Sequence, residues 1–297
     1  MLADFLAGAS QRPLHVPSRS PTILVFDSGL GGLTVFSELL KARPDARFLY
    51  AADNAAFPYG RLTEAELVAR VLAAMRRLVA RHAPDLAVIA CNTASTLVLP
   101  HLRAHFTIPF IGTVPAIKPA AASSRTGRIS ILATPGTVAR DYTRGLIEAY
   151  AAECRVELVG SQRLAGFAEA ELRGNPVSDD ELAAELAPCF VEDAGGRTDV
   201  VVLACTHYPL LAERLRRVAP WPVSWIDPAP AIARRMLDVL NTHEEGLASR
   251  PEGDRRAVFS SGQGLDPALL AALDARGLGQ AVVDAFPLGG PDIDLSA

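Results

Sequence analysis

Short apolar runs alternate with longer amphipathic stretches along nearly the whole chain. Apolar residues dominate positions 22–26, 47–52, 86–90, 109–112, 129–133, 156–160, 200–204 and 223–226, the pattern of strands buried on both faces. Positions 33–42, 64–82, 138–152 and 179–191 instead repeat apolar residues at helical spacing. Thr63, with Glu66 three residues on, predicts a capping box at the start of the 64–82 helix. A strand near 257–260 and a helix near 267–275 follow. This alternation predicts an α/β fold with parallel-type sheets flanked by helices.

One phrase occurs twice. Asp85-Leu86-Ala87-Val88-Ile89-Ala90-Cys91-Asn92-Thr93 and Asp199-Val200-Val201-Val202-Leu203-Ala204-Cys205-Thr206-His207 each read as a buried parallel strand, with an acid at the start and a thiol where it runs out. Open α/β sheets bind ligands at the carboxyl ends of their strands, so the pair predicts two thiols facing one substrate. It also suggests two similar halves. Pro115 and Pro119 break helical continuity and place a boundary near 113–119, with a return crossing near 225–230.

Composition narrows the class. The chain has 297 residues, 49% hydrophobic and 21% charged, which is ordinary for a globular protein. A net charge of −4 supplies no broad basic field for nucleic acid or an anionic membrane. No apolar run approaches the roughly 20 residues that span a bilayer. The N-terminal stretch lacks a compact apolar core and reads as a loose arm over 1–21, not a signal peptide. Cys91, Cys154, Cys189 and Cys205 read as reduced thiols of a cytoplasmic protein.

The core strands end in polar loops: Asp27-Ser28-Gly29-Leu30-Gly31-Gly32, Asp53-Asn54 followed by Pro58-Tyr59-Gly60, Cys91-Asn92-Thr93, Thr134-Pro135-Gly136-Thr137 and Cys205-Thr206-His207. Hydroxyls, amides and free N–H groups near helix N-termini suit a small anion. Simpler readings stand beside this one. A cysteine ending a buried strand is most often core filler, and Thr93, Thr137 and Thr206 could only cap helices. Two cysteines with matching neighbours weigh against filler. Gly29-Leu30-Gly31-Gly32 with Asp53 is similar to a dinucleotide loop, but Thr34 stands at the third glycine's place and Asp27 would face a pyrophosphate. Cys205-x-His207 alone is weak as a metal site, and no metal is expected.

With these residues together, the chain resembles the glutamate racemases, cofactor-independent enzymes of the aspartate/glutamate racemase superfamily. Five stretches carry the resemblance: residues 25–34, Asp53-Asn54 with 57–60, 90–95, 112–119 and 203–211. The resemblance implies two similar α/β domains, 22–114 with 227–297 and 115–226, and an active site in the cleft between them. It implies Cys91 and Cys205 as the two catalytic acid/bases, Cys91 acting on the D-enantiomer and Cys205 on the L-enantiomer. Asp27 and His207 become their polar helpers. Ser28, Pro58, Tyr59, Gly60, Asn92, Thr93, Thr134, Thr137 and Thr206 match substrate-binding positions, with Asp53 and Glu169 in support. The implied partner is L- or D-glutamate, feeding peptidoglycan synthesis. A homodimer and a UDP-sugar precursor as activator are expectations of the same origin. Rival readings are another racemase such as one for aspartate, a cysteine-dependent isomerase or decarboxylase of the superfamily, and a non-enzymatic regulatory protein.

The chemistry accounts for the residue types. Racemisation removes the Cα proton on one face and returns one on the other, so two bases are simpler than one that moves. Cysteine serves as thiolate base one way and thiol acid the other. With an ordinary pKa of about 8.5, only a few per cent is ionised near neutrality, so neighbours must adjust it. A pyridoxal phosphate mechanism needs a Schiff-base lysine. The only lysines are Lys41 and Lys118, neither beside a phosphate cup, so no cofactor is expected and preorganised donors must stabilise the carbanion.

Overall fold

The computed structural model describes residues 20–240 and 253–285. The chain begins with β1 (Thr22–Asp27), α1 (Leu33–Ala42), β2 (Arg47–Ala52), α2 (Glu64–His82), β3 (Leu86–Ile89), α3 (Asn92–His105) and β4 (Phe110–Gly112). It continues through α4 (Ile117–Ser123), β5 (Arg128–Ala133), α5 (Pro135–Val138), α6 (Asp141–Tyr150), β6 (Arg155–Gly160), α7 (Leu164–Leu172) and α8 (Asp179–Leu186). A small hairpin of β7 (Glu192–Asp193) and β8 (Gly196–Arg197) precedes β9 (Val200–Ala204), α9 (Ala212–Val218) and β10 (Ser224–Ile226). Last come α10 (Ala229–Val239), β11 (Arg255–Phe259), α11 (Pro267–Asp274) and β12 (Gln280–Val283).

The strands form two parallel sheets, ordered β12-β11-β2-β1-β3-β4 and β10-β9-β5-β6. Four strands of each match in order: β2-β1-β3-β4 corresponds to β6-β5-β9-β10. The cysteine strands β3 and β9 therefore occupy equivalent places, each beside the first strand of its sheet. That is the point where strand order reverses and a crevice opens at the carboxyl ends.

Both sheets are covered on both faces, which explains the continuous apolar runs. Ile23 and Val25 face one core while Leu24 and Phe26 face another. In the second sheet Val201 and Leu203 pack on one side, Val200 and Val202 on the other. Each cysteine continues its strand's alternation. Cys91 follows Ala87 and Ile89, and Cys205 follows Val201 and Leu203.

Most expected elements appear within a residue or two, and the α2 capping box forms as read. Several expectations need correction. The helix expected over 138–152 is α6, which starts only at Asp141, and Val138 is the last residue of the short α5; Thr143 Oγ1 donates to the Thr137 carbonyl at 2.7 Å. The helix expected to reach 191 ends at Leu186, before Pro188, which has no N–H to continue the ladder. Pro119 does not break a helix; it lies in the first turn of α4, where a missing N–H has no helical partner to lose. Within α3, Pro100 is accommodated inside the helix. The expected arm over 1–21 falls almost wholly outside the described residues.

Between α1 and β2, Arg43 and Asp45 form an ion pair at 2.8 and 3.0 Å, with both side chains fully buried. Removing Asp45 takes this carboxylate from the buried Arg43 charge. Asp45→Ala should lower stability by about 3–5 kcal/mol in urea unfolding; a loss below about 1 kcal/mol would contradict this account.

Candidate active site

β1 delivers Asp27 to the crevice, and the next five residues form the loop into α1. Asp27 is fully buried. Its Oδ2 accepts the N–H groups of Gly29 at 3.1 Å and Gly32 at 3.0 Å. Among the described residues its Oδ1, also buried, has no hydrogen-bond partner. Burial pushes the Asp27 carboxyl up, against the opposing pull of His207 and the two N–H groups.

Cys91 is the N-cap of α3, with Asn92 and Thr93 in the first turn. Its sulfur lies 3.6 Å from Ser28 Oγ, and its relative exposure is 5%. Burial, then the negative charge of Asp27, pushes this thiol up to about 12; the Ser28 hydroxyl and the Ala94 N–H offset part of that. Without a ligand the first thiol is therefore held protonated. Asn92 is buried, and among the described residues both atoms of its amide lack partners. Thr93 Oγ1 meets Thr134 Oγ1 of the second sheet's β5 loop at 3.0 Å. Thr134 meets Thr137 Oγ1 at 3.0 Å and caps α5. Three threonine hydroxyls are thus linked across the two sheets.

Cys205, 6% exposed, lies 3.8 Å from Nδ1 of the buried His207. The other ring nitrogen, Nε2, is 3.2 Å from Glu169 Oε1 on α7. Glu169 also accepts the Leu30 N–H at 3.1 Å through Oε1 and Arg173 Nη1 at 3.1 Å through Oε2. Burial raises Glu169, but His207, Arg173 and Leu30 outweigh it and hold the carboxyl below its ordinary range. Burial lowers His207, yet its hydrogen bonds to Cys205 and Glu169 and the charges of Cys205 and Asp27 hold it well above the usual histidine value. The two thiols are close enough that the charge of Cys205 acts on Cys91.

The remaining expected residues fall around this centre. Asp53 is not a ribose acid; it accepts Tyr59 OH at 2.6 Å and the Arg70 guanidinium at 2.5 and 2.8 Å. It thereby fixes the buried Tyr59. Pro58 precedes Tyr59, and Gly60 lies exposed opposite Gly136 of the α5 turn. Thr206 takes part through its backbone carbonyl, which accepts the Thr34 hydroxyl at 3.0 Å. Neither lysine is near. Lys41 pairs with Glu38, and Lys118 sits over the Tyr150 ring. Among the described residues no group of three or more His, Cys, Asp or Glu is placed to hold a metal ion.

Several contributors were not read from the sequence. Tyr50, buried in β2, donates to the Gly29 carbonyl at 2.8 Å and braces the loop. Arg70 and Arg173 orient the two supporting acids, and the Phe57 ring packs 5.3 Å from that of His207. Thr34, which argued against a nucleotide loop, also marks a contact between the sheets through its hydroxyl.

Two parallel α/β sheets thus each present a thiol from an equivalent strand to a shared crevice. The chain belongs to the Asp/Glu/Hydantoin racemase family, whose sequence model matches residues 33–236. It is 56% identical to the glutamate racemase of Mesorhizobium japonicum over 243 residues, covering 81% of this chain and 92% of that one. It is likewise 56% identical to the glutamate racemase of Brucella canis over 251 residues, 84% of this chain and 90% of the relative. Among solved structures it is similar to Escherichia coli glutamate racemase in complex with L-glutamate and the activator UDP-MurNAc-Ala. The TM-score is 0.80 at 41% identity, covering 90% of this chain and 99% of that one. Glutamate racemase isoform RacE1 from Bacillus anthracis matches with a TM-score of 0.74 at 28% identity, covering 90% and 98%.

The glycine loop has no spare room against the second sheet. A Cβ at Gly31 would lie 2.3 Å from His207 Nδ1 and 2.6 Å from Cγ, and the ring is buried. Gly31→Ala must therefore displace the ring from Cys205. Misplacement on the scale of 1 Å can lower turnover about 10²-fold, and kcat of this variant should fall accordingly with the fold retained by circular dichroism. Unchanged kcat would contradict the packing described.

Proposed function

We propose that the protein interconverts L- and D-glutamate by Cα proton transfer between two cysteines, supplying D-glutamate for peptidoglycan. The observation that carries this reading is the placement of Cys91 and Cys205 at equivalent strand ends of two matching sheets, each within the other's electrostatic reach. Family membership and relatives at 56% identity support it. We assign the domains as 22–114 with 227–297 and 115–226. The strands through Gly112 and from Arg255 lie in one sheet, and those from Arg128 to Ile226 in the other, which supports that division.

In this reading Cys205, beside a protonated His207, is the thiolate that takes the Cα proton of L-glutamate. Cys91, held protonated by burial and by Asp27, gives its proton to the opposite face of the carbanion. One turnover leaves Cys205 as thiol and Cys91 as thiolate, the state that runs the reaction from D-glutamate. Negative charge developing toward the α-carboxylate needs donors already in place. Asn92, the hydroxyls of Ser28, Thr93, Thr134 and Thr137, and the Tyr59-Gly60 turn are assigned to hold the substrate. The buried, unpartnered amide of Asn92 supports that assignment.

The E. coli relative was solved with UDP-MurNAc-Ala as activator. Activation of this protein by such a UDP-sugar belongs to the same proposal, and rates with and without it test the point. Work in the cytoplasm fits four free cysteines, and among the described residues no helix is long and apolar enough to cross a membrane. A homodimer is carried over from the resemblance alone, and light scattering tests it.

Cys91→Ala and Cys205→Ala should each lower racemisation by about 10²–10⁴-fold, the usual contribution of a positioned acid or base. Each should keep solvent exchange at Cα for the enantiomer served by the remaining thiol. Full racemisation by either variant would sink the two-base reading. Parallel assays with aspartate should show glutamate preferred in kcat/KM; the reverse order would reassign the substrate.

A further inference from the structure

The turn that carries the second thiol has one carbonyl that its own residues do not satisfy. In Cys205-Thr206-His207-Tyr208-Pro209-Leu210, the Cys205 carbonyl accepts the Tyr208 N–H at 3.1 Å and the His207 carbonyl accepts the Leu210 N–H at 3.1 Å. The same spacing would give the Thr206 carbonyl the N–H of residue 209, but Pro209 has none. Among the described residues no backbone N–H reaches that oxygen. Thr206 is buried, and a buried carbonyl without a donor is costly. The donor comes from across the cleft. Thr34 Oγ1, in the first turn of α1, lies 3.0 Å from the Thr206 carbonyl oxygen.

We propose that Thr34 is a positioning residue for Cys205 and His207: its hydroxyl crosses the cleft and fixes the peptide plane between Thr206 and His207. The Thr206 carbonyl and the His207 N–H belong to that one rigid plane. Holding the oxygen therefore sets the direction from which the imidazole leaves the backbone. The thiol is one residue back on the other side of Thr206, so the same strut limits how the two groups move relative to each other.

A threonine hydroxyl has one proton to give. Thr34 Oγ1 also lies 2.9 Å from the Gly31 carbonyl, three residues back, a common local acceptor for this side chain. That carbonyl already accepts the Thr34 N–H at 3.1 Å and does not depend on the hydroxyl. The proton is thus free for Thr206. Thr34 follows β1 of one sheet and Thr206 follows β9 of the other, so the bond exists only while the two sheets are held together. A hydroxyl that merely steadied the start of α1 would affect both thiols alike. The strut instead ends beside Cys205, whereas the side-chain partner of Cys91 is Ser28.

This inference rests on the reading of Cys205 as one of two acid/bases, but its first test needs no substrate. In protein labelled with ¹³C-carbonyl threonine and ¹⁵N-histidine, only threonine–histidine linkages give a coupled signal, and the chain has two, at 206–207 and 242–243. His207→Asn identifies the first by its loss. Thr34→Val keeps the size and removes the hydroxyl, so the Thr206 carbonyl signal should move upfield; Thr34→Ser should leave it in place. A signal that stays put in Thr34→Val would overturn the proposal. Solvent exchange at Cα then separates the two thiols. In Cys91→Ala, adding Thr34→Val should lower exchange from L-glutamate about 3- to 10-fold, the range one net hydrogen bond supplies, and Thr34→Ser should recover it. In Cys205→Ala, adding Thr34→Val should leave exchange from D-glutamate unchanged. Equal loss on both sides, or no loss from L-glutamate, would also overturn the proposal. Thr34→Ala gives the same two readouts should the valine protein not fold. Because the carbonyl signal needs no turnover, absence of the strut is distinguishable from failure of the racemase reading, which the cysteine variants test.

Discussion

The site depends on one backbone segment. Four successive N–H groups, from Gly29 to Gly32, are directed at Asp27, Glu169, His207 and Asp27 in turn. Backbone donors have fixed directions and no rotamers, so they hold three ionisable groups at little conformational cost. Two of those groups belong to the other sheet's half. The loop that shapes the Cys91 side is therefore also the brace of the Cys205 side. Contact this close requires residues without side chains, since a Cβ at Gly29 would meet Glu169 Oε1 at 2.4 Å and one at Gly31 would meet the imidazole.

That brace breaks a symmetry the fold would otherwise impose. Equivalent strand positions deliver the two thiols, and both are nearly buried. Their partners differ in charge. Cys91 is buried beside a carboxylate, so its thiol form is favoured, with the Ser28 hydroxyl offsetting part of that. Cys205 has an imidazole that its hydrogen bonds to the thiol and to Glu169 hold well above the usual histidine value, against burial. Two like bases in one crevice could not both be ionised without strong repulsion. Different neighbours distinguish the two thiols, and in the proposed mechanism proton transfer through the substrate exchanges their roles.

Much of this was legible in the residues. Strands buried on both faces announce themselves as continuous apolar runs, so β1, β3, β5 and β9 and the cysteines at two of their ends were readable. Helices with irregular faces were less so. Pro119 reads as a breaker, although a first-turn proline is compatible with a helix. The site's long-range partners left no local trace. Glu169 and His207 are 38 positions apart and Arg70 and Asp53 are 17 apart, and no periodicity links such pairs. The glycine loop shows the opposite limit. Its pattern was plain, but the same glycines that admit a pyrophosphate elsewhere here admit an imidazole and a carboxylate.

The raised Asp27 carboxyl then takes on a role that local sequence could not assign. Burial opposes its charge, and that charge in turn opposes ionisation of Cys91. In the proposed mechanism its Oδ1, without a partner among the described residues, would accept from the amino group of an incoming amino acid. An ammonium placed there would stabilise the carboxylate and screen it from the Cys91 sulfur, lifting one of the causes that hold that thiol protonated. Ionisation of Cys91 would thus become easier only with a substrate in place. A base that is masked until its substrate arrives is protected from oxidation and from idle proton exchange, since the thiolate is the reactive form. Burial of Cys91 therefore serves the chemistry as well as the packing.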